Sequence, residues 1–396
     1  MEKKIYLVGG AVRDKLMGCE VYDKDYVAVG FCSDDFNELV CVGKDFPVYI
    51  TKDGDELALA RVERKVSSGY NGFSIDTQNV SLEDDLKRRD LTVNSIAYDE
   101  KDDRLIDPFN GQSDIKNKIL RHTSEAFIED PIRVLRIARF RAKFGYDWKI
   151  HHTTKVLIYS MRDELKSLQK DRVYKEVDKV LGYQNSDIFF ETLFELGVLD
   201  IIFPSIYQLT KLNEGNVYHK EDSVFIHTMM VLRKLKNSSK LLKLTALYHD
   251  IAKPYCYRKF GNSSGHDNID KVAPLIDIQL PTKLQNRILF LIQNHIKIAI
   301  FLDMRAQKIA TFFESFRKDR KLLEDLLEFY DADNEGRITN EKKEQLNKKM
   351  ILNIFDEISS FSPKKWIEDQ ENRPSGEAIK QYVHKTNISI VKKLLI

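Results

Sequence analysis

The sequence predicts an α+β chain: a small mixed-sheet head followed by a body that is helical to its end. Two observations carry this. Residues 1 to about 110 mix short β-rich runs with turns, among them Phe46-Pro47-Val48-Tyr49-Ile50, Leu57-Ala58-Leu59-Ala60-Arg61-Val62 and Arg104-Leu105-Ile106-Asp107. From about residue 111 the apolar residues recur at helical spacing instead, as in Ile132, Leu135 and Phe140. The expected organisation is a head over 1–110, a helical neck and body over 111–205, a second helical domain over 206–335 and a helical tail over 336–396.

The first element reads as a strand, Ile5-Tyr6-Leu7-Val8, a tight Gly9-Gly10 turn and a helix from Ala11 to Met17. Backbone N–H groups at such a turn can cradle a phosphate, aided by the positive helix N-terminus. Next comes Asp23-Lys24-Asp25, directly before the apolar run Tyr26-Val27-Ala28-Val29. If all of it is strand, the period of two puts both carboxylates on one side. Two close carboxylates are costly without a cation, and magnesium, a hard ion seeking oxygen, suits them. Taken singly, these motifs also read as an ordinary turn and a solvated acidic pair. Together they supply what nucleotidyl transfer needs.

Arg61 and Glu63 share strand parity just before Ser67-Ser68-Gly69-Tyr70-Asn71-Gly72-Phe73, which reads as a lid loop or a surface turn. Glu63 is a candidate third carboxylate. Arg88-Arg89-Asp90-Leu91-Thr92-Val93-Asn94 offers fork-shaped donors for phosphate, with Asp90 able to orient an arginine or accept a ribose hydroxyl, and Asn94 a further donor. In Glu129-Asp130-Pro131-Ile132-Arg133, Asp130 reads as an N-cap with proline at the first helical position. Arg133, Arg136 and Arg139 then form a stripe along that helix, either a binding face or a solvated edge. Further helices are expected over Asp171–Leu181, with Gly182 as a stop, over Ile188–Leu196 and over Leu241–Tyr248. A last helical block runs from about 305, with 339–349 a charged helix face or connector.

Composition narrows the class. The 396 residues carry 63 basic and 61 acidic side chains, a net charge of +2, so any nucleic-acid surface is a local patch. Lys143, Lys175 and Lys179 are candidates for such a patch. Cys19, Cys32, Cys41 and Cys256 show no metal-binding spacing and read as reduced thiols. The N-terminus runs straight into a strand, and no apolar run approaches membrane-spanning length. A cytoplasmic protein without membrane contact is expected.

The ordered motifs Gly-Gly-Ala-Val-Arg-Asp, Asp-x-Asp, Arg-Arg-Asp-x-x-x-Asn and Glu-Asp-x-x-Arg resemble those of class II tRNA nucleotidyltransferases, the family of CCA-adding enzymes and bacterial poly(A) polymerases. Leu105-Ile106-Asp107-Pro108-Phe109-Asn110-Gly111 and Leu120-Arg121-His122 resemble that family too. The resemblance implies a nucleotidyltransferase head in which Asp23 and Asp25 hold Mg²⁺. Gly9, Gly10 and Arg13 would contact the triphosphate, and Arg89, Asp90 and Asn94 the sugar and phosphates, with Arg136 and Arg139 lining the pocket. Asp130 and Arg133 would read the base. Cytosine and adenine both present an amine donor beside a ring-nitrogen acceptor, which an Asp–Arg pair complements, while uracil and guanine present the reverse. The implied partners are the tRNA 3′ end, CTP and ATP, and the implied reaction is template-independent addition of C, C and A, by a monomer or homodimer. Poly(A) polymerase and partial CC- or A-adding enzymes share the head motifs and stay open.

His227, His249-Asp250, His266 and His295 form a second constellation. Taken singly, each reads as an ordinary core or surface histidine. Adjacent His and Asp with distant histidines can bind a divalent metal that activates water. The set resembles an HD-domain phosphohydrolase, which some family members carry behind the transferase. This implies a second divalent ion, for example Ni²⁺ or Mn²⁺, and hydrolysis of cyclic phosphates, 2′-nucleotides or phosphomonoesters. A more distant reading makes the chain an HD phosphohydrolase with a regulatory nucleotide-binding head; a non-catalytic RNA-binding protein is a third. Asp331-Ala332-Asp333-Asn334-Glu335-Gly336 imitates the start of a calcium loop, but position twelve is Lys342 where a bidentate Glu is required. The stretch instead resembles one near the end of the HD region in family members.

Overall fold

Strands β1 (Lys4–Val8) and β2 (Asp25–Val29) form the centre of a seven-stranded sheet. Its other members are β3 (Val40–Val42), β4 (Val48–Ile50), β5 (Glu56–Leu59), β8 (Ala97–Asp99) and β9 (Arg104–Ile106), in the order β3-β4-β5-β2-β1-β8-β9. A separate hairpin joins β6 (Val62–Lys65) to β7 (Phe73–Asp76). The computed structural model describes residues 2–43, 47–65, 73–77, 79–214, 222–339 and 345–395, with the backbone alone for 63–65 and 73–76. The sheet is mixed, as expected: β1 runs antiparallel to β2 and β8, while β2 runs parallel to β5.

Period-two alternation buries both faces of β1 and β2. Tyr6, Val8, Val27 and Val29 join Leu86 in one cluster; Leu7 joins Ala11 and Val12 on the opposite face, where Ala28 packs with Phe36 and Leu57. The register sets Val8 beside Asp25, so the Gly9-Gly10 turn leaves the sheet at the edge where Asp25 enters it.

The chain divides into two compact units, Met1–Val180 with Ile188–Ile202, and Leu181–Asp187 with Phe203–Ile396. In the first, helices α1 (Gly10–Leu16), α2 (Leu82–Lys87), α3 (Gly111–Lys116), α4 (Ile132–Phe144), α5 (His152–Ser160), α6 (Lys170–Leu181), α7 (Ser186–Glu195) and α8 (Leu199–Ile202) follow and interleave the sheet. Helix α4 starts one residue later than expected: Pro131 is the flanking residue, and the Asp130 carboxylate accepts from the Ile132 N–H at 3.2 Å. The second unit is helical: α9 (Pro204–Leu209), α10 (Val224–Lys234), α11 (Lys240–Tyr248), α12 (Lys253–Phe260), α13 (Ile269–Val272), α14 (Thr282–Ala299), α15 (Ala306–Ser315), α16 (Arg320–Glu335), α17 (Lys348–Ser360), α18 (Lys364–Glu368) and α19 (Gly376–Leu394). Helices α10, α11, α14 and α16 pack on one another, and α19 closes against α15 and α17. Among the described residues no helix is long and apolar enough to cross a membrane. All four cysteines are free.

Candidate functional site

Within the first unit lies a cavity of about 810 Å³. Gly9, Gly10, Arg13, Arg89, Asp90, Asn94, Asp130, Arg133, Arg136 and Arg139 all line it, although they are spread over 131 positions of the chain. Arg61, Arg88, Lys143, Lys175 and Lys179 line it too, as do Arg172 and Glu176, which sequence reasoning missed. Eleven basic side chains against five acidic ones make this the local basic patch that the near-neutral composition requires.

The arginines are held in place, and their holders explain the sequence spacing. Asp85, fully buried on α2, accepts from Arg88 at 2.7 Å and from Arg89 at 3.1 Å. Burial alone would push the Asp85 carboxyl up, but the Arg89 and Arg88 charges hold it below its ordinary value. Gly9 has φ +69, and a Cβ there would sit 2.8 Å from Arg89 Nη1, so glycine admits both the turn and the guanidinium. A second chain of contacts runs through Asp90. Asn94 Nδ2 donates to Asp90 Oδ1 at 2.9 Å, Arg136 Nε donates to Oδ2 at 2.8 Å, and Arg13 donates to the Asn94 side-chain oxygen. Asp90 and Asn94 therefore orient arginines in this structure. Arg13 is only 4% exposed and lies over the Phe140 and Phe144 rings, and Arg139 over Phe140. Arg139 also donates to Glu176 at 2.6 Å and Arg136 pairs with Asp90, so the stripe on α4 is a paired face, buried at Arg133 and Arg139 and partly exposed at Arg136.

The two residues expected to read a base edge are differently placed. Asp130 Oδ2 accepts from Arg172 Nη2 at 3.0 Å. Arg133 is buried and donates to the carbonyls of Ala126 and Arg88, each at 2.7 Å. Arg172, on α6, is thus the guanidinium that faces Asp130, and nothing in the local sequence announces it.

The acidic site departs from the expected strand geometry. β2 starts at Asp25, so Asp23 precedes the strand and its position is not set by the pleat. Asp25 lines the cavity and Asp23 does not, and both are exposed at the head of β2. Glu56 on β5 is the register partner of Asp25. Partial desolvation by the surrounding protein, then the Glu56 charge, raises the Asp25 carboxyl above its ordinary value although the residue keeps contact with solvent, with Asp23 adding to this and Arg89 opposing it. Carboxylates crowded in this way fit a hard divalent cation. The side chain of Glu63, on β6, and the loop 66–72 lie outside the described residues.

The second unit gathers the histidines. His227 comes from α10, His249 and Asp250 from the end of α11, His266 from the loop after α12 and His295 from α14; all are buried. Asp333 on α16 completes the set, with Oδ1 3.0 Å from His227 Nε2. This is the acidic stretch rejected as a calcium loop; only the packing of α16 on α10 shows its use. Each imidazole Nδ1 faces a carbonyl: Gly336 at 3.1 Å, Ala246 at 2.7 Å, Ser263 at 2.8 Å and Ile292 at 2.5 Å respectively. A carbonyl only accepts, so each neutral ring turns an Nε2 lone pair inward, the orientation typical of metal-ligating histidine. Burial and the neighbouring His266 and His249 push His295 down to about 3. Burial opposes ionisation of Asp250, yet the His249 and Lys253 charges hold it well below the usual carboxylate range. The Asp250 and Asp333 charges raise His249 against its burial, so a divalent ion, which binds the neutral ring, would displace its proton.

Residues 5–121 match the Poly A polymerase head domain, and residues 147–209 match a probable RNA and SrmB-binding site of polymerase A. The multifunctional CCA protein of Shewanella denitrificans is 37% identical over 382 residues, covering 92% of each chain. A CCA-adding enzyme in an apo form superposes with a TM-score of 0.65 at 20% identity, covering 99% of this chain and 87% of that one. The Thermotoga maritima CCA-adding enzyme complexed with tRNA gives a TM-score of 0.62 at 19% identity, covering 99% and 91%. These solved structures establish a shared fold, and the identity to the curated relative, sustained over nearly the full length of both chains, places this chain in the multifunctional CCA protein family of tRNA nucleotidyltransferases.

Proposed function

We propose that the protein adds C, C and A, without a nucleic-acid template, to the 3′ end of tRNA from CTP and ATP, releasing pyrophosphate at each step. The observation that carries this reading is that one basic cavity is lined by all ten residues singled out for nucleotide contact and by Asp25. Asp23 and Asp25, with Glu56 beside Asp25, are the residues that would hold Mg²⁺, which when bound would activate the 3′-hydroxyl and stabilise the departing pyrophosphate. Arg13 and Arg89, which line the cavity, would donate to triphosphate oxygens, and Arg136 and Arg139 would complete the basic wall. Asp130 can accept from the exocyclic amine that cytosine and adenine share, with a neighbouring guanidinium donating to the ring nitrogen; uracil and guanine would leave both groups unmatched.

The test is 3′-end extension of tRNA lacking CCA, resolved at single-nucleotide length, with Asp23→Ala as control. Two residues from CTP alone and a single further one on adding ATP is the expected result. A long A tail would assign poly(A) polymerase activity instead, and a halt after CC a partial enzyme.

A second activity, metal-dependent phosphoester hydrolysis, is supported by the four inward-turned Nε2 atoms beside Asp250 and Asp333. Release of phosphate from a nucleoside 2′-phosphate, abolished by His249→Ala and Asp250→Ala but retained by Asp23→Ala, is expected. Hydrolysis surviving both substitutions would remove the assignment.

A further inference from the structure

The eleven basic side chains of the cavity in the first unit divide by residue type. All eight arginines are buried or half-buried, whereas Lys143, Lys175 and Lys179 are exposed, so guanidinium lines the interior and ammonium the mouth. The interior is also committed: Arg88 and Arg89 are paired with Asp85, Arg136 with Asp90, Arg139 with Glu176 and Arg172 with Asp130. The two kinds of cation suit different anions. A guanidinium fork held by a carboxylate matches oxygens that return to one place in every cycle, as those of a triphosphate do. An ammonium on a flexible stem is a point charge that can follow an anion through a range of positions.

The lysines keep positive charge available. Lys143 Nζ lies 3.1 Å from Asp14 Oδ2, but Asp14 also accepts from Arg13 at 2.7 Å. Lys179 Nζ lies 3.3 Å from Glu176 Oε1, but Glu176 also accepts from Arg139 at 2.6 Å. One carboxylate serving two cations leaves one positive charge over at each place. Lys175 has no ion-pair partner among the described residues. Lys175 and Lys179 stand four apart on α6, so they share a face with Cβ atoms about 5–6 Å apart, near the separation of successive phosphates along a nucleic-acid strand. Lys143 comes from the last turn of α4, so two helices supply the three charges to one cavity. Asp171, one turn before Lys175 and also exposed at the cavity, ends the basic face.

We propose that Lys143, Lys175 and Lys179 form the track for the phosphodiester backbone of the RNA being extended, separate from the arginine interior that takes the incoming triphosphate. The proposal rests on the nucleotidyl-transfer reading and gives the second substrate its place. Contacts to phosphate carry no base information, as a site that accepts a changing 3′ end requires. A strand that grows by one nucleotide at each addition must also shift past its contacts. Mobile ammonium groups permit that shift where a forked, bidentate contact resists it.

The experiment measures two binding equilibria of the full-length chain: tRNA lacking CCA, by fluorescence anisotropy across a series of salt concentrations, and CTP, by calorimetry. Lys143→Gln, Lys175→Gln and Lys179→Gln are made singly and together, with folding checked by circular dichroism. Each lost phosphate contact removes its share of counterion release. The slope of log affinity against log salt should therefore fall in magnitude by about 0.7 per lysine and about 2 for the triple variant, with the CTP dissociation constant unchanged. Lys143→Arg, Lys175→Arg and Lys179→Arg together should keep the slope, because the charge is retained. An unchanged slope in the glutamine variants would make the lysines a solvated face, and weakened CTP binding would place them on the triphosphate; either result overturns the track. Extension of the same tRNA by the unsubstituted chain separates the two failures. No extension would overturn nucleotidyl transfer to tRNA, whereas extension with an unchanged slope in the variants would overturn the track alone.

Discussion

Arg172 Nη2 donates to Asp130 Oδ2 across 3.0 Å, joining α6 to the start of α4. The carboxylate proposed to read the base edge is thereby oriented by a side chain 42 residues further along. Asp130 is pinned from the other side by the Ile132 N–H, so its two oxygens are fixed before a nucleotide arrives.

Arg172→Met is therefore expected to relax base choice while leaving the acidic site intact. Loss of one well-placed contact to a base edge costs about 1–3 kcal/mol of discrimination, so UTP incorporation relative to CTP should rise roughly 5- to 150-fold. Asp130→Ala should relax it at least as far. Single-turnover incorporation of each nucleotide measures both; unchanged discrimination in Asp130→Ala would remove its base-reading role.

Asp25→Asn should reduce nucleotide addition by a factor on the order of 10³ or more, because the reaction loses a metal ligand. The paired test is Glu56→Gln. Asp25 has a raised pKa, so its ionised form is lost as pH falls through that value. Removing the Glu56 charge lowers it and should shift the acid limb of the rate profile, measured at limiting Mg²⁺, to lower pH. An unmoved limb would show that Glu56 does not act on Asp25.

The Arg139–Glu176 pair is buried on both sides, with side chains 9% and 8% exposed. Removing one partner strands a charge, so Glu176→Ala should destabilise the fold by about 3–5 kcal/mol in urea unfolding. Replacing both, Arg139→Met with Glu176→Leu, should recover most of that stability while nucleotide addition stays impaired.

Asp90 is buried. Burial would raise its carboxyl, but the Arg136 charge, the Asn94 hydrogen bond and the Arg133 charge hold it well below its ordinary value. A carboxyl depressed in the folded state stabilises above its unfolded pKa of about 3.9, and that contribution is lost as pH falls toward the depressed value. Asp90→Asn should thus cost most at pH 7 and progressively less below about pH 4. Unfolding free energies of the two proteins should converge in acid; a gap constant with pH would contradict this.

How much of this was legible beforehand varies with the kind of fact. The mixed-sheet head and the helical body follow from periods of two and 3.6, and the cavity arginines stood out because Gly9-Gly10, Arg88-Arg89 and Arg133-x-x-Arg136-x-x-Arg139 each lie on one local element. The strand geometry expected of Asp23 does not hold, because β2 starts at Asp25 and the pleat does not reach Asp23. Glu56, Arg172 and Asp333 were not legible as partners at all: a parallel register, a helix crossing and the packing of α16 on α10 brought them to Asp25, Asp130 and His227. By itself the sequence determined which chemical groups are present and which local element carries each, since propensity and periodicity act between near neighbours. Only the tertiary structure decided which groups face one another across tens of residues, because burial and hydrogen bonding select partners by position in space rather than by distance along the chain.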